Sequence, residues 1–188
     1  MTKKEKIEQT ARDLFWKHGF KKVSIDEICK KAGVSRKTFY TYFDNKSALV
    51  IQIMKIITDT IFADSQDVIE RDTTFAEKIE ELLKIKYLAN KNFSIEFVSD
   101  FFHPDSTEIF EFFQELTLKS LAFTRAFYEQ AQLKGEMNAN LNLDFVMWLM
   151  QKQLELISTN EAIQMFPDAE TMTKQMAQLM IYGVMLIR

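Results

Sequence analysis

Residues 25–43 constrain this chain more than any other segment. Ile25 to Ala32 and Val34 to Phe43 each carry a helical pattern, and Gly33 separates them. A glycine between two short amphipathic stretches lets the backbone turn through left-handed values without steric strain. Ser24, with Glu27 three residues on, reads as a capping box that opens the first of the pair. Its inward face would be Ile25, Ile28, Cys29 and Ala32, while Val34, Phe39 and Phe43 point inward from the second. The opposite surface of that second helix gathers basic, hydroxyl and aromatic side chains. This is the arrangement by which a helix-turn-helix meets DNA: one helix braces and the next enters the major groove.

The rest of the chain reads as helical too. Only 4 Gly and 2 Pro occur in 188 residues, which leaves few breaks. An amphipathic pattern from Lys3 to His18 places Ile7, Ala11, Leu14 and Phe15 on one stripe and ends at Gly19. Asp44-Asn45 caps a fourth helix from Lys46 to about Gln66. Further helical patterns recur at 74–90 (Thr74 and Glu77 form another capping box), 94–102, 106–134, 143–159 and 168–186. The breaks fall at His103-Pro104-Asp105, Lys134-Gly135 and Phe166-Pro167. The expected fold class is all-α, with an N-terminal three-helix helix-turn-helix module at 1–47 and a larger helical domain for ligand binding and dimerisation at 48–188.

Charge is segregated along this plan. The overall net charge is −3, yet residues 1–47 hold 12 Lys or Arg against 6 Asp or Glu, a net of +6, which leaves −9 on the remainder. A basic head on an acidic body suggests that the head alone meets a polyanion. At the start of the third helix, Ser35, Arg36, Lys37 and Thr38 would lie within reach of base edges, where Arg or Lys to guanine is the commonest specific pairing. Ser24, at a helix N-terminus, suits a phosphate. Tyr40 can stack on sugar or a thymine methyl, and Tyr42 and Lys46 are placed for the phosphate backbone.

Ala11, Leu14, Phe15, Gly19, Ile25, Ile28, Ala32-Gly33-Val34-Ser35, Thr38, Tyr40, Tyr42-Phe43, Lys46 and Leu49 together resemble the N-terminal signature of the TetR (tetracycline-repressor) family. The resemblance covers roughly the first 50 residues. Thr38, Tyr40, Tyr42 and Lys46 match the family's DNA contacts, whereas Lys37 stands where the family often has glycine. For the remainder the resemblance implies only architecture: helices around a cavity, and a helical dimer interface.

Of 17 Phe, 13 lie beyond residue 47. Tyr87, Phe93, Phe97, Phe101, Phe110, Phe113, Phe123 and Phe127 are candidates for lining a small-molecule pocket, with core packing as the alternative for each. Glu96 and Asp100, one turn apart, read as surface carboxylates. Phe145, Leu149, Met150 and Leu154 form one apolar stripe, and Met172, Met176, Leu179, Met180 and Gly183 another, a pattern suited to a four-helix dimer interface. A dimer would set two reading helices about one DNA turn apart, ~34 Å or more.

The expected protein is therefore a dimeric regulator, a repressor released from a palindromic double-stranded DNA operator by a small apolar or amphipathic ligand. A regulator controlled by a protein partner is the alternative, and a helical enzyme a distant third. No catalytic residue, cofactor or metal site is expected: His18 and His103 are the only histidines, and no phosphate-binding glycine loop is present. The single Cys29 and the charged, unhydrophobic start point to a cytoplasmic protein with no membrane segment.

Overall fold

The computed structural model describes residues 1–157 and 159–184; side chains at 157, 160, 169, 173, 177 and 180–184 fall outside that description. Among these residues the secondary structure is helical throughout. In chain order the helices are α1 (Lys3–His18), α2 (Ile25–Ala32), α3 (Arg36–Tyr42), α4 (Lys46–Glu70) and α5 (Phe75–Asn90). Then follow α6 (Ile95–Phe102), α7 (Thr107–Leu133), α8 (Leu143–Ile157), α9 (Asn160–Gln164) and α10 (Ala169–Val184). No helix among the described residues is long and apolar enough to cross a membrane.

Helix starts follow the local chemistry. Thr2 and Glu5 form a reciprocal capping box on α1, and Thr74 and Glu77 form the one expected on α5. At α2 only half of the expected box forms: Ser24 Oγ accepts from the Glu27 N–H at 3.1 Å, with no described return bond from the Glu27 carboxylate. Asn45 caps α4, its Oδ1 accepting from the Ala48 N–H at 2.7 Å. α4 runs one turn beyond the expected Gln66, because Val68 finds a buried position. α9 was not legible from periodicity: it is a single turn started by Thr159, whose side chain accepts from the Ala162 N–H.

The chain divides into two compact units, one of Met1–Asp59 with Asn92–Phe113, the other of Thr60–Lys91 with the residues from Gln114 onward. Packing thus groups residues differently from a boundary at residue 47. The first unit buries Ile7, Leu14 and Phe15 of α1, Phe20 and Val23 of the following loop, Ile28 of α2, Phe39 of α3 and Leu49 of α4. Each large apolar side chain so buried contributes about 1.5–3 kcal/mol. Ile25 and Val34, expected inside, are only half-buried.

α6 joins this unit through aromatic rings. Trp16 lies 5.0 Å from Phe93 and 4.9 Å from Phe97, and Phe20 meets Phe97 at 5.9 Å. The Ser94 N–H donates to Trp16 O at 2.8 Å. Asp100, expected on the surface, is instead 9% exposed. It is buried because its Oδ2 accepts the Lys21 N–H at 2.8 Å, a bond that offsets the loss of solvation. Gly19 makes room for it: a Cβ there would sit 2.5 Å from Asp100 Oδ2.

The second unit has its own core, where Phe75 and Ile79 of α5, Phe127, Tyr128 and Ala131 of α7, Met137, and Leu143 and Val146 of α8 pack together. Lys78 is buried beside them, its Nζ donating to Ile69 O at 2.7 Å. Arg125 of α7 bridges Glu129 at 2.8 Å and Asp144 of α8 at 2.6 Å. The Tyr87 hydroxyl donates to Glu170 Oε1 at 2.5 Å, tying α5 to α10.

Candidate nucleic-acid interface

α3 is a seven-residue helix with one buried side chain, Phe39. Ser35 starts it, its Oγ accepting from the Thr38 N–H at 3.0 Å and lying 3.0 Å from the Thr38 hydroxyl. Burial of Phe39 against α1 and α2 turns the opposite surface outward. Ser35, Arg36, Lys37, Tyr40 and Tyr42 are exposed there, with Thr38 half-buried. Tyr40 and Tyr42 remain 47% and 42% exposed, with the Tyr40 ring meeting Phe39 edge-on at 5.4 Å. Thr41, which sequence reading passed over, shares this surface and donates its hydroxyl to Lys37 O at 2.9 Å. Its signal was simply its place on the helix next to Tyr40.

α2 is joined to α3 at Gly33, which adopts φ 67° and ψ 37°. An L side chain enters that left-handed region only at a cost, so glycine fixes the angle between the two helices cheaply. Arg36 Nη1 lies 3.1 Å from Asp26 Oδ1 across the turn. A hydrogen bond with Tyr40, and after it the charge of Asp26, raises the guanidinium pKa. An ion pair so exposed contributes little and is readily exchanged for another anion. Cys29, buried beneath, has its thiol pKa pushed up, chiefly by burial, and is therefore an unreactive core residue.

Lys46 has a structural role that the sequence did not show: Nζ donates to Lys21 O at 3.0 Å and to Val23 O at 3.2 Å, and the side chain is half-buried. The reason is its place in the first turn of α4, alongside the loop that carries Lys21 and Val23, whose carbonyls it satisfies. Ser24 is exposed at the N-terminus of α2, with its hydroxyl engaged by that helix's own backbone.

Residues 7–53, which span α1 to the start of α4, match the family described as bacterial regulatory proteins, tetR family. The head of this chain belongs to the TetR family. The HTH-type transcriptional regulator YvdT of Bacillus subtilis (strain 168) is 43% identical over 60 residues, covering 31% of each chain. YerO of the same organism is 28% identical over 125 residues, 63% of this chain and 43% of YerO. These matches therefore span less than half the length of those relatives. Solved structures extend the fold likeness over the whole chain. The fatty acid degradation regulator FadR from Bacillus halodurans superposes with a TM-score of 0.69 at 20% identity, over 97% of this chain and 96% of that one. FadR from Bacillus subtilis in complex with stearoyl-CoA gives 0.67 at 18% identity, over 95% and 98%.

Beyond the TetR-family head, the eight candidate pocket aromatics do not form one set. Phe93, Phe97, Phe101, Phe110 and Phe113 belong to the first unit, and Tyr87, Phe123 and Phe127 to the second. Phe97 and Phe113 are core side chains that hold α6 and the start of α7 to the head, with Phe101 and Phe113 only 4.1 Å apart. Phe110 faces outward. In the second unit Phe127 is core, Tyr87 is engaged with Glu170, and half-buried Phe123 meets Phe62 at 5.6 Å. The candidate dimer residues also divide. Met172 is buried and Met150 packs on the core, because both lie on the inner sides of their helices. Leu154 and Met176 are half-buried. Phe145 and Leu149 are exposed, joined by Trp148 at 53%, whose ring stacks 6.0 Å from Phe145, and by Leu156 and Leu179. Met180 and Gly183 lie outside the described side chains.

Proposed function

We propose that this protein is a dimeric transcriptional regulator that reads a palindromic DNA operator with α3 and acts as a repressor released by a small apolar or amphipathic ligand. The observation that carries the reading is the exposed surface of α3, where Ser35, Arg36, Lys37, Tyr40 and Tyr42 project from a TetR-family head held rigid by Phe39. Arg36 and Lys37 specify base edges, while Tyr40 and Tyr42 fit sugar, methyl and phosphate groups. Thr38 and Ser35 serve first as structure for the helix start and, with Ser24, present N-terminal N–H groups to phosphate. Lys46 supports the interface by fixing the loop before α2, and its third ammonium proton is left for a phosphate.

Dimerisation is supported by the exposed apolar face of α8. Phe145, Trp148, Leu149 and Leu156 stand in water on a helix whose other side is core. A contiguous patch of this kind on a soluble surface marks an interface. A symmetric pair would bury the same patch from both copies and duplicate the reading helix. Ligand release is supported by the fold likeness to the fatty acid degradation regulator FadR of Bacillus halodurans and to the transcriptional regulator FadR of Bacillus subtilis, solved in complex with stearoyl-CoA. α4 contributes residues to both compact units and would carry the shift. Such couplings are typically ~1–3 kcal/mol.

Selection of random duplex DNA by the purified protein tests the reading, run in parallel with the Lys37→Ala, Tyr42→Ala double variant. Enrichment of one palindromic site by the wild type and not by the variant is the expected result. Failure of the wild type to enrich any sequence at moderate salt would refute sequence reading by this head.

A further inference from the structure

α2 and α3 expose the cations Lys30, Lys31, Arg36 and Lys37. Among the described residues the three lysines have no ion pair, and only Arg36 is matched with an acid. Its Nη1 lies 3.1 Å from Asp26 Oδ1 and donates to Asp26 Oδ2 at 3.2 Å. The two residues meet because Gly33, in its left-handed conformation, brings the start of α3 beside the first turn of α2. Asp26 suits that turn in its own right, since a carboxylate near a helix N-terminus is favoured by the helix dipole. Helix chemistry does not, however, require it to reach the one arginine of α3.

With side chains 61% and 65% exposed, this pair adds little to folding. Its effect falls on whatever approaches the surface. A free arginine pairs with any phosphate, and contacts of that kind supply the sequence-independent part of DNA binding. Here a phosphate that approaches Arg36 also approaches the carboxylate 3.1 Å from it, so attraction by one is opposed by repulsion from the other. A base edge meets a different balance. Guanine O6 and N7 carry only partial charge, and the carboxylate opposes them far less. Both contacts to Asp26 run through Nη1, which leaves the Nε and Nη2 donors of the planar fork for such an edge. The pairing also restrains a long side chain before it binds, which lowers the ordering cost at the interface.

We propose that Asp26 sets the specificity of the reading surface: its carboxylate opposes phosphate at Arg36 and holds the guanidinium for a base edge. Asp26 is thus a positioning residue that acts through Arg36, and its role rests on the reading of DNA by α3 described above.

Fluorescence anisotropy of the full chain measures affinity for two labelled duplexes over a range of salt concentrations. One is the site that wild type enriches from random DNA, the other a shuffled duplex of the same composition. Asp26→Asn should tighten binding to the shuffled duplex and steepen its slope of log affinity against log salt by about 0.9 for each reading helix that gains a phosphate. The enriched site should gain less, so the ratio of the two affinities should fall about fivefold or more. Asp26→Glu keeps the charge and should hold that ratio within about twofold of wild type. In an Arg36→Met background Asp26→Asn should leave the ratio within about twofold, because the partner through which it acts is gone. Ser24 still caps α2 in each variant, so a folded head is expected throughout. A ratio unmoved by Asp26→Asn overturns the proposal, as does an equal fall with and without Arg36, which would make Asp26 a bare charge acting on DNA. A fall that Asp26→Glu shares also overturns it. If selection enriches no site, reading by α3 and the role of Asp26 fall together; if it enriches one and the ratio does not move, the reading stands and Asp26 alone falls.

Discussion

Replacing Lys46 by Met separates two roles that the same residue could play in a DNA-binding head. The substitution keeps the length and apolar character of the stem and removes the ammonium. In the structure that ammonium donates to Lys21 O at 3.0 Å and Val23 O at 3.2 Å from a half-buried position. Hydrogen bonds to a charged group contribute about 1.5–3 kcal/mol each. Partial exposure lets water replace some of that, so the loss should be about 3 kcal/mol for the pair. For a chain of this size 1 kcal/mol moves the midpoint by roughly 2–4 °C, so the melting temperature should fall by about 6–12 °C. Differential scanning calorimetry without DNA is the decisive assay. A pure phosphate contact would leave this midpoint in place and reduce the slope of log affinity against log salt by about 0.9. An unchanged midpoint with a reduced salt slope would refute the clamp and return Lys46 to the phosphate backbone.

The other expectations concern the junctions, the core and the dimer face. Gly19→Ala should cost about 3–5 kcal/mol, since left-handed strain at φ 76° adds to displacement of Asp100 from the Lys21 N–H. Gly33→Ala, with φ 67° and open space around its Cβ, should cost only about 1–2 kcal/mol; equal losses in urea titrations of the two variants would deny the Asp100 contact its role. Tyr128 has its pKa raised to about 12 by burial, above the unfolded value near 10, so the folded state holds the proton that the unfolded state gives up. Its stabilisation is therefore complete below pH 10 and declines by roughly 3 kcal/mol as pH rises from about 10 to 12. Tyr128→Phe should remove that part of the alkaline loss, read from denaturation curves across this range. Phe145→Lys with Trp148→Lys should convert a dimer to a monomer in sedimentation velocity without lowering helix content; persistence of the dimer would move the interface off α8.

Much of the fold was legible because its signals are local. Gly19 and Gly33 punctuate the head, Thr74 and Ser94 start the helices expected of them, and the pattern from Lys3 to His18 coincides with α1. The reading surface was legible for the same reason: Phe39 and Phe43 fix which way α3 faces, and the polar residues follow by periodicity. Roles that depend on distant partners were not. Periodicity gives Met150 and Met172 apolar faces but does not say whether a second copy or the same chain covers them, and the core does. For Phe93 and Phe97 the sequence left pocket lining and core packing both open, because a filled interior and a lined cavity have the same composition; in the fold both rings pack against Trp16. The bonds from Lys46 to Lys21 O and from the Lys21 N–H to Asp100 were not legible, because nothing local predicts a carbonyl or an N–H left unpaired 25 or 79 residues away.

Those two residues also explain how the head holds its shape. The loop between α1 and α2 has no ladder or helix to occupy its peptide groups, and Lys21 sits in its middle. Its N–H is taken by Asp100 of α6 and its C=O by Lys46 of α4. One peptide segment is thus gripped from two helices, by opposite charges acting on opposite ends of the backbone dipole. The loop leads directly into Ser24 and α2, and Gly33 then fixes α3 on α2 through a turn with little latitude. The direction in which Arg36, Lys37, Tyr40 and Tyr42 project is therefore set by a chain of short, stiff links that begins at α6. A displacement of α6 would reach Lys21 directly, because the α6 side chain that would move accepts the Lys21 N–H at 2.8 Å. A head built this way is expected to pass a shift of α6 on to the reading surface, and weakening of the Asp100 link by Asp100→Asn should reduce any such coupling.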